Sequence, residues 1–190
     1  MKKGKLIIIS APSGCGKSTI IGEIMDAGKL DLQFSVSATN RKPRPGEVDG
    51  VNYHFLTDQQ FKDLIAENAF VEYEQVYPGR YYGTLRSEIQ GRIDAGHNVI
   101  LDIDVRGGVN VKEQFGADAL SVFIAPPDIP ELRSRLEKRG SESAEAIEER
   151  VGRAEYELGF KDRYDYVVVN DELPRAIGEV AALMEDFIKA

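Results

Sequence analysis

One stretch near the start of the chain, residues 6–19, constrains the fold more than any other. It begins with the apolar run Leu6–Ile9, which is typical of a strand buried on both faces of a sheet. A loop containing Gly14 and Gly16 follows, and isoleucines at helical spacing begin directly after Thr19. The stretch therefore predicts a buried strand, a glycine-containing loop and the first turn of a helix.

The loop ends in Gly16-Lys17-Ser18, which matches the phosphate-loop pattern G-x-x-x-x-G-K-[ST]. Glycines let backbone N–H donors approach a phosphate closely, and the N-terminus of the following helix adds free donors and partial positive charge. Lys17 supplies a mobile cation, and the Ser18 hydroxyl is a natural magnesium ligand. Ala11 replaces the first glycine of the pattern and fits there if its φ is negative. The loop predicts a nucleoside triphosphate site, and a strand-to-helix turn without a ligand is the alternative.

Composition bounds the class of protein and its partners. With 190 residues, 42% of them hydrophobic and 29% charged, the chain is expected to form one globular domain. Its net charge of −8 argues against general binding to nucleic acid or anionic membranes, because phosphate backbones require clustered cations. The single cysteine and the lack of a membrane-length apolar stretch predict a cytoplasmic protein. The sequence does not decide between a monomer and a homodimer.

Apolar strands alternate with helices along most of the chain, which predicts an α/β fold with a parallel sheet flanked by helices on both faces. Another buried strand is expected over residues 98–104 and is followed by a helix from about Val109. Residues 35–84 break the rhythm with shorter, alternating strands, and 78–83 has the composition of a turn. This span predicts an inserted antiparallel lobe.

A phosphate loop alone does not separate kinases, GTPases and motor ATPases. A GTPase is expected to show an Asn-Lys-x-Asp motif, which this sequence lacks, and a motor ATPase normally needs a longer chain. A kinase needs a second phosphate-binding feature, and the loop with Arg41 and Arg44 around Pro43 offers one. Solvated loop cations are the alternative interpretation of these two arginines.

Several segments, taken in order, resemble those of guanylate kinases over nearly the whole chain. They are Ala11–Thr19, Ser35–Tyr53, Tyr81–Thr84, Leu101–Asp104, Ile124–Pro127, Arg135–Gly140 and Val167–Asp171. The resemblance implies a P-loop NTPase-type core, a mixed or antiparallel GMP-binding lobe and a small helical lid within a single domain spanning 1–190. The corresponding ranges are about 1–34, 85–125 and 163–190 for the core, 35–84 for the lobe, and 126–162 for the lid.

The same resemblance implies which residues bind the substrates. ATP is expected at Ala11, Pro12, Ser13, Gly14, Cys15, Gly16, Lys17, Ser18, Thr19 and Asn170. The GMP phosphate is expected at Arg41, Arg44, Tyr53 and Tyr82, since a dianionic phosphate favours guanidinium forks and phenolic donors. Guanine is expected at Glu72, Asp104, Ser37 and Thr84.

The two carboxylates would set base specificity. Guanine presents N1–H and N2–H₂ donors that Glu72 and Asp104 would accept, whereas adenine lacks this pair of donors and would leave buried charge unpaired. The alternative for Glu72 is an exposed strand residue.

Asp102 ends a hydrophobic strand and is expected to hold Mg²⁺ through water, together with Ser18. Either Asp102 or Asp104 is alternatively a helix cap or a surface acid.

Three arginines match the lid of the family and are expected to close over the transferring phosphoryl group. These arginines are Arg135, Arg139 and Arg150. Together with Lys17 and Arg44 they form the predicted catalytic set. Surface ion pairs are the alternative, because Glu131 and Arg135, and likewise Glu149 and Arg153, stand four residues apart.

One departure from the family is Arg106, which stands where glutamine is frequent and would either perturb the guanine pocket or face solvent.

The resemblance implies in-line transfer of the γ-phosphoryl group of ATP to GMP, or also to dGMP, with Mg²⁺ and without a general base, because the acceptor phosphate is already anionic. Kinases for other phosphorylated acceptors share this fold. A non-catalytic interaction module is the remaining alternative, although such modules typically lack an intact phosphate loop.

Overall fold

A computed structural model of the chain describes residues 3–138 and 143–190. Nine strands and seven α-helices lie within these residues. The strands are β1 (Leu6–Ser10), β2 (Leu32–Phe34), β3 (Ala38–Thr39), β4 (His54–Phe55), β5 (Phe70–Tyr77), β6 (Arg80–Leu85), β7 (Asn98–Asp102), β8 (Ala119–Ala125) and β9 (Tyr166–Val169). The helices are α1 (Lys17–Asp26), α2 (Asp58–Ala66), α3 (Arg86–Asp94), α4 (Val105–Phe115), α5 (Ile129–Lys138), α6 (Ala144–Leu158) and α7 (Leu173–Lys189).

The main sheet contains five parallel strands in the order β2–β7–β1–β8–β9. Its central strand is β1, in which Ile9 pairs with Asp102 on one side and with Val122 on the other. Every residue of β1 and β8 is buried, as expected for parallel strands covered on both faces. The predicted α/β fold class is confirmed.

Helices cover both faces of this sheet. Because side chains alternate along a strand, Ile7 and Ile9 of β1 lie in one apolar cluster with α1 and α7. Leu6 and Ile8 lie in a second cluster with α3 and α4. The first strand is thereby fixed from both sides, and the loop that follows it rests on a rigid support.

Residues 38–85 contribute a second, mixed sheet in the order β4–β3–β6–β5. The β3–β4 pair is parallel, and the other two pairs are antiparallel. The prediction of a turn over 78–83 is wrong beyond Gly79, because residues 80–85 form β6 and pair with β5. A tight turn at Pro78 and Gly79, with Gly79 at φ 71°, closes the hairpin between β5 and β6. The turn is therefore shorter than the six residues predicted from the sequence.

The strand predicted over 98–104 ends at Asp102. Asp104 instead caps α4, since its Oδ1 accepts hydrogen bonds from the backbone N–H groups of Arg106 at 2.7 Å and Gly107 at 3.0 Å. The helix therefore begins at Val105 rather than near Val109. Two consecutive glycines disguised this start, because glycine disfavours helix in a sequence-based prediction.

Helices α5 and α6 pack on each other close to the phosphate loop. Leu132 and Leu136 of α5 are buried, and a Cβ placed on Gly14 would lie 2.9 Å from the Leu136 side chain. The predicted catalytic residue Arg139 lies outside the described residues. Among the helices described, none has the length and apolar character needed to span a membrane.

Candidate active site

The phosphate loop turns at two glycines between β1 and α1. Gly14 and Gly16 have φ values of 93° and 84°, in the left-handed region that favours glycine. Helix α1 begins at Lys17, so its unpaired N-terminal N–H groups belong to the loop. Ala11, which replaces the first glycine of the motif, does not have a positive φ and is compatible with the loop.

Asn170, which follows β9, holds this loop through a side-chain hydrogen bond. Its buried side chain donates a 2.8 Å hydrogen bond from Nδ2 to the carbonyl of Cys15. A Cβ on Gly16 would approach the same Nδ2 to 2.5 Å, so only glycine fits there. Asn170, predicted to bind ATP, thus contacts the loop predicted to hold the ATP phosphates. The Cys15 thiol is also buried, and burial raises its pKa to about 12.

A cavity of about 400 Å³ lies between the phosphate loop, the mixed sheet and α6. All residues of 11–19 line it, and most of the other predicted site residues do so as well. The latter are Ser37, Arg44, Tyr53, Glu72, Tyr82, Asp102, Asp104 and Arg150. The fold therefore brings residues from distant parts of the sequence to a single cavity.

A lysine and a carboxylate meet inside this cavity. Lys17 at the start of α1 forms an ion pair with Asp102 at the end of β7, because β1 and β7 are neighbours in the sheet. Ser18 is exposed and lines the same wall. A serine hydroxyl and a carboxylate that line one cavity suit Mg²⁺, which prefers hard oxygen ligands and usually takes one or two from the protein and others from substrate phosphates.

Glu72 is a buried carboxyl group on the cavity wall and not an exposed strand residue. Its residue exposure is 7%, and its Oε1 accepts a 2.6 Å hydrogen bond from Thr84 Oγ1. Burial raises the pKa of Glu72 to about 8; the Thr84 hydrogen bond opposes this shift, and the charges of Asp104 and Glu74 add to it. A Cβ on Gly107 would lie 2.6 Å from Glu72 Oε2, so the glycine leaves room for the carboxyl group.

Asp104 has two structural roles at once. It caps α4 through Oδ1, as one alternative predicted, and it also lines the cavity beside Glu72. Arg106, the departure from the family, points largely to solvent with 56% of its side chain exposed. Its guanidinium lies 3.4 Å from Glu74 Oε2 and therefore affects the carboxyl cluster from outside.

The two loop arginines differ in their surroundings. The side chain of Arg41 is only 8% exposed. Its guanidinium donates two 2.6 Å hydrogen bonds to the Glu47 carboxylate and one of 3.2 Å from Nε to Tyr82 Oη. It also stacks on the ring of Tyr53, 4.9 Å from the centroid. Arg41 thus lies behind the tyrosines, whereas Arg44 lines the cavity itself. The solvated-cation alternative is wrong for Arg41.

Glu47 is a residue that the sequence interpretation missed. Besides the fork with Arg41, it accepts a 2.7 Å hydrogen bond from the backbone N–H of Arg44. The hydrogen bonds from Arg41 hold the pKa of Glu47 down at about 2. The sequence did contain an indication of this role, because Glu47 is a carboxylate in the same loop as the cations Arg41 and Arg44.

Two of the arginines predicted to belong to a lid also differ in their surroundings. Arg150 of α6 donates a 2.7 Å hydrogen bond to Ser13 Oγ in the phosphate loop. Arg135 of α5 donates from Nη1 to the carbonyl of Asn170 at 2.9 Å and forms the predicted ion pair with Glu131 at 2.8 Å. Arg150 therefore faces the cavity, and Arg135 lies against the segment that supports the loop.

Two further cavity residues, Arg153 and Glu157, were not identified as functional from the sequence. Arg153 was expected to pair with Glu149, but its Nε donates a 2.7 Å hydrogen bond to Glu157 Oε1. Both glutamates stand four residues away, and only packing against the mixed sheet decides between them. The contact of Arg153 with Val76 joins residues 77 apart in sequence, so spacing gave no signal for it.

Comparisons with known proteins agree with these observations. A family model described as guanylate kinase matches residues 3–187. A guanylate kinase of Bacteroides fragilis is 49% identical over 186 residues, covering 98% of this chain and 91% of that protein. A guanylate kinase of Salinibacter ruber is 47% identical over 190 residues, covering 100% of both.

Solved structures give the same result. The crystal structure of guanylate kinase from Anaplasma phagocytophilum is similar with a TM-score of 0.81 and 25% identity, over 100% of this chain and 89% of that one. A gluconokinase from Sinorhizobium meliloti has a TM-score of 0.53 and 14% identity over 99% and 95% of the two chains, a likeness of fold alone. The resemblance inferred from the motifs is confirmed.

Proposed function

Because the chain belongs to the guanylate kinase family, we propose that it transfers the γ-phosphoryl group of ATP to GMP and releases ADP and GDP. Family membership makes it a nucleoside monophosphate kinase. The finer proposal is carried by one observation: the phosphate loop and the buried carboxyl group of Glu72 face the same cavity. A donor phosphate and a guanine base bound there would be held within one cavity.

In this proposal the acceptor nucleotide lies along the mixed sheet. Guanine donates from N1–H and N2–H₂ to Glu72 and Asp104, and Ser37 supplies a hydroxyl to another base edge. The phosphate of GMP receives hydrogen bonds from Arg44, with Tyr53 and Tyr82 backed by Arg41. AMP would leave Glu72 facing adenine, which lacks the matching donors, so the buried polar group would disfavour it.

The donor nucleotide takes the phosphate loop. Backbone N–H groups of 11–19, except at Pro12, which has none, bind the ATP phosphates. Lys17 and Arg150 approach the transferred group, and Ser18 and Asp102 would hold Mg²⁺, the latter through water. When bound, Mg²⁺ neutralises negative charge on the phosphate oxygens. The acceptor oxygen is anionic and attacks in line, so positioning and electrostatic stabilisation suffice. We assign residues 35–84 to an acceptor lobe and 126–162 to a lid, whose closure excludes water.

Transfer of label tests this proposal directly. ATP labelled at the γ-phosphorus is incubated with GMP and Mg²⁺, and the nucleotides are separated; we expect the label in GDP. Lys17→Met should reduce the rate roughly 10²-fold or more, because it removes a cation from the transition state. Lys189→Met, at an exposed lysine that pairs with Glu185 of its own helix α7, is the matched control. Label released as inorganic phosphate, with none in GDP, would contradict the proposal.

A further inference from the structure

Helix α6 carries an arginine that contacts the mixed sheet. The Arg153 guanidinium donates from Nη1 to the carbonyl of Val76 near the end of β5 and stacks on Tyr77, 4.8 Å from the ring centroid. From the other side, Glu157 Oε1 accepts a 2.7 Å hydrogen bond from Arg153 Nε. One guanidinium therefore joins the proposed lid to the proposed acceptor lobe.

The same helix contacts the phosphate loop one turn earlier. Arg150 precedes Arg153 by three residues, which places both on neighbouring positions of one helical face. Arg150 donates to Ser13 Oγ at 2.7 Å, while Arg153 reaches Val76 and Tyr77. A displacement of β5 relative to the core would thus be transmitted through α6 to the donor site.

We propose that Arg153 is a positioning residue that couples occupation of the acceptor lobe to placement of Arg150 at the phosphate loop. The inference rests on the proposed function, because it takes GMP as the ligand of the lobe and ATP as the ligand of the loop. Coupling of this kind requires an element that both sites bias, and α6 contacts both.

The chemistry of the contact favours this role over a purely stabilising one. A planar guanidinium donates in several fixed directions and stacks on a ring, which an ammonium group does less well. Glu157 is buried, and within the described residues its Oε2 has no hydrogen-bond partner. Burying a carboxylate with an unsatisfied oxygen is costly, so a buried ion pair of this kind is weak support for stability alone.

The test measures synergy between the two nucleotides. The Kd of GMP is determined by calorimetry with and without a non-hydrolysable ATP analogue and Mg²⁺, for the wild type and for Arg153→Met, which keeps much of the side-chain volume. We expect the analogue to tighten GMP binding on the order of tenfold in the wild type and to have little effect in Arg153→Met. The Kd for GMP alone should stay close to that of the wild type.

Steady-state kinetics on the same proteins separates positioning from folding. At saturating ATP, Arg153→Met should lower kcat and raise KM for GMP on the order of tenfold, because the bound donor no longer tightens GMP binding. Arg153→Lys should recover part of both kcat and KM, because it restores a cation near Val76 and Tyr77. Tyr77→Leu should weaken the synergy independently, since it removes the ring on which Arg153 stacks. Arg133→Met is the matched control, because Arg133 pairs with Glu148 within the lid.

Each outcome decides the inference. Loss of synergy in Arg153→Met and Tyr77→Leu, with synergy kept in Arg133→Met, supports it. Synergy that persists in Arg153→Met, that is absent from the wild type, or that falls equally in Arg133→Met overturns it. A wild type that makes no GDP contradicts the proposed function instead, and the binding measurement reads the coupling without any turnover.

Discussion

Thr84 Oγ1 donates a 2.6 Å hydrogen bond to Glu72 Oε1, and both residues are buried. The two residues are direct partners across the antiparallel pair of β5 and β6. Pairing in the mixed sheet therefore fixes the orientation of a carboxyl group that lines the cavity. In the proposed function, this orientation presents Glu72 to guanine.

Removing the hydroxyl from Thr84 should weaken the use of GMP. Thr84→Val preserves shape but leaves Glu72 Oε1 without its buried donor, so KM for GMP should rise roughly tenfold or more. Thr84→Ser keeps the hydroxyl and should stay near the wild type. The measurement is steady-state kinetics with GMP varied at saturating ATP. An unchanged KM for GMP in Thr84→Val would show that this hydrogen bond does not prepare the site.

GMP affinity should increase with pH up to about 8. Burial raises the pKa of Glu72 to about 8, so below that pH the carboxyl is protonated and presents an O–H where guanine requires acceptors. Binding favours the ionised form, so affinity should gain up to roughly tenfold per pH unit below the pKa and level off above it. Calorimetric titration between pH 6 and 9 measures this.

Glu72→Gln is the control for this pH dependence, because its amide does not titrate while the ionisation of GMP itself is common to both proteins. The variant should bind GMP more weakly and lose the additional slope. The same slope in both proteins would assign the pH dependence to another group.

Enlarging Gly107 should disturb the proposed guanine site specifically. A Cβ at this position would lie 2.6 Å from Glu72 Oε2, so Gly107→Ala must displace the carboxyl group. We expect KM for GMP to rise several-fold and KM for ATP to change little. Gly178→Ala is the matched control, because a Cβ there meets nothing within 4 Å in α7. Equal effects of both substitutions on KM for GMP would refute a specific role for Gly107.

The sequence predicted those parts of the site that are local. The phosphate loop is a short motif whose glycines, lysine and serine are neighbours in the sequence as well as in the cavity wall, and the alternation of strands and helices predicted the fold class. Side-chain contacts between segments that are distant in the sequence could not be predicted from it. Arg153 pairs with Glu157 rather than Glu149 because its guanidinium also contacts Val76 of β5. The spacing of residues along α6 does not reveal that β5 lies near this helix.

The start of α4 and the surroundings of Arg41 were also missed, for physical reasons of their own. Asp104 and the packing beneath α4 outweigh the low helix propensity of Gly107. The sequence predicted that Arg41 lies in a loop between β3 and β4, but its fork to Glu47 depends on how that loop folds back on itself. Propensity and motif describe single segments, whereas these features arise from packing.

The Cys15 thiol should be unreactive in the folded protein. Burial raises its pKa to about 12, so very little nucleophilic thiolate is present at pH 8. Mass spectrometry after treatment with iodoacetamide should find the native chain unmodified and the denatured chain carrying one adduct, since Cys15 is the only cysteine. Rapid, complete labelling of the native protein would show that the loop opens readily.

The most direct test of the central claim is an acceptor panel with the wild-type chain. ADP release from ATP and Mg²⁺ is measured with GMP, AMP, CMP and UMP in turn, and Glu72→Gln is assayed beside it. We predict fast turnover with GMP, little with the other three, and a loss of GMP use in the variant. Equal turnover with AMP and GMP would contradict the assignment of Glu72 and Asp104 to the guanine base.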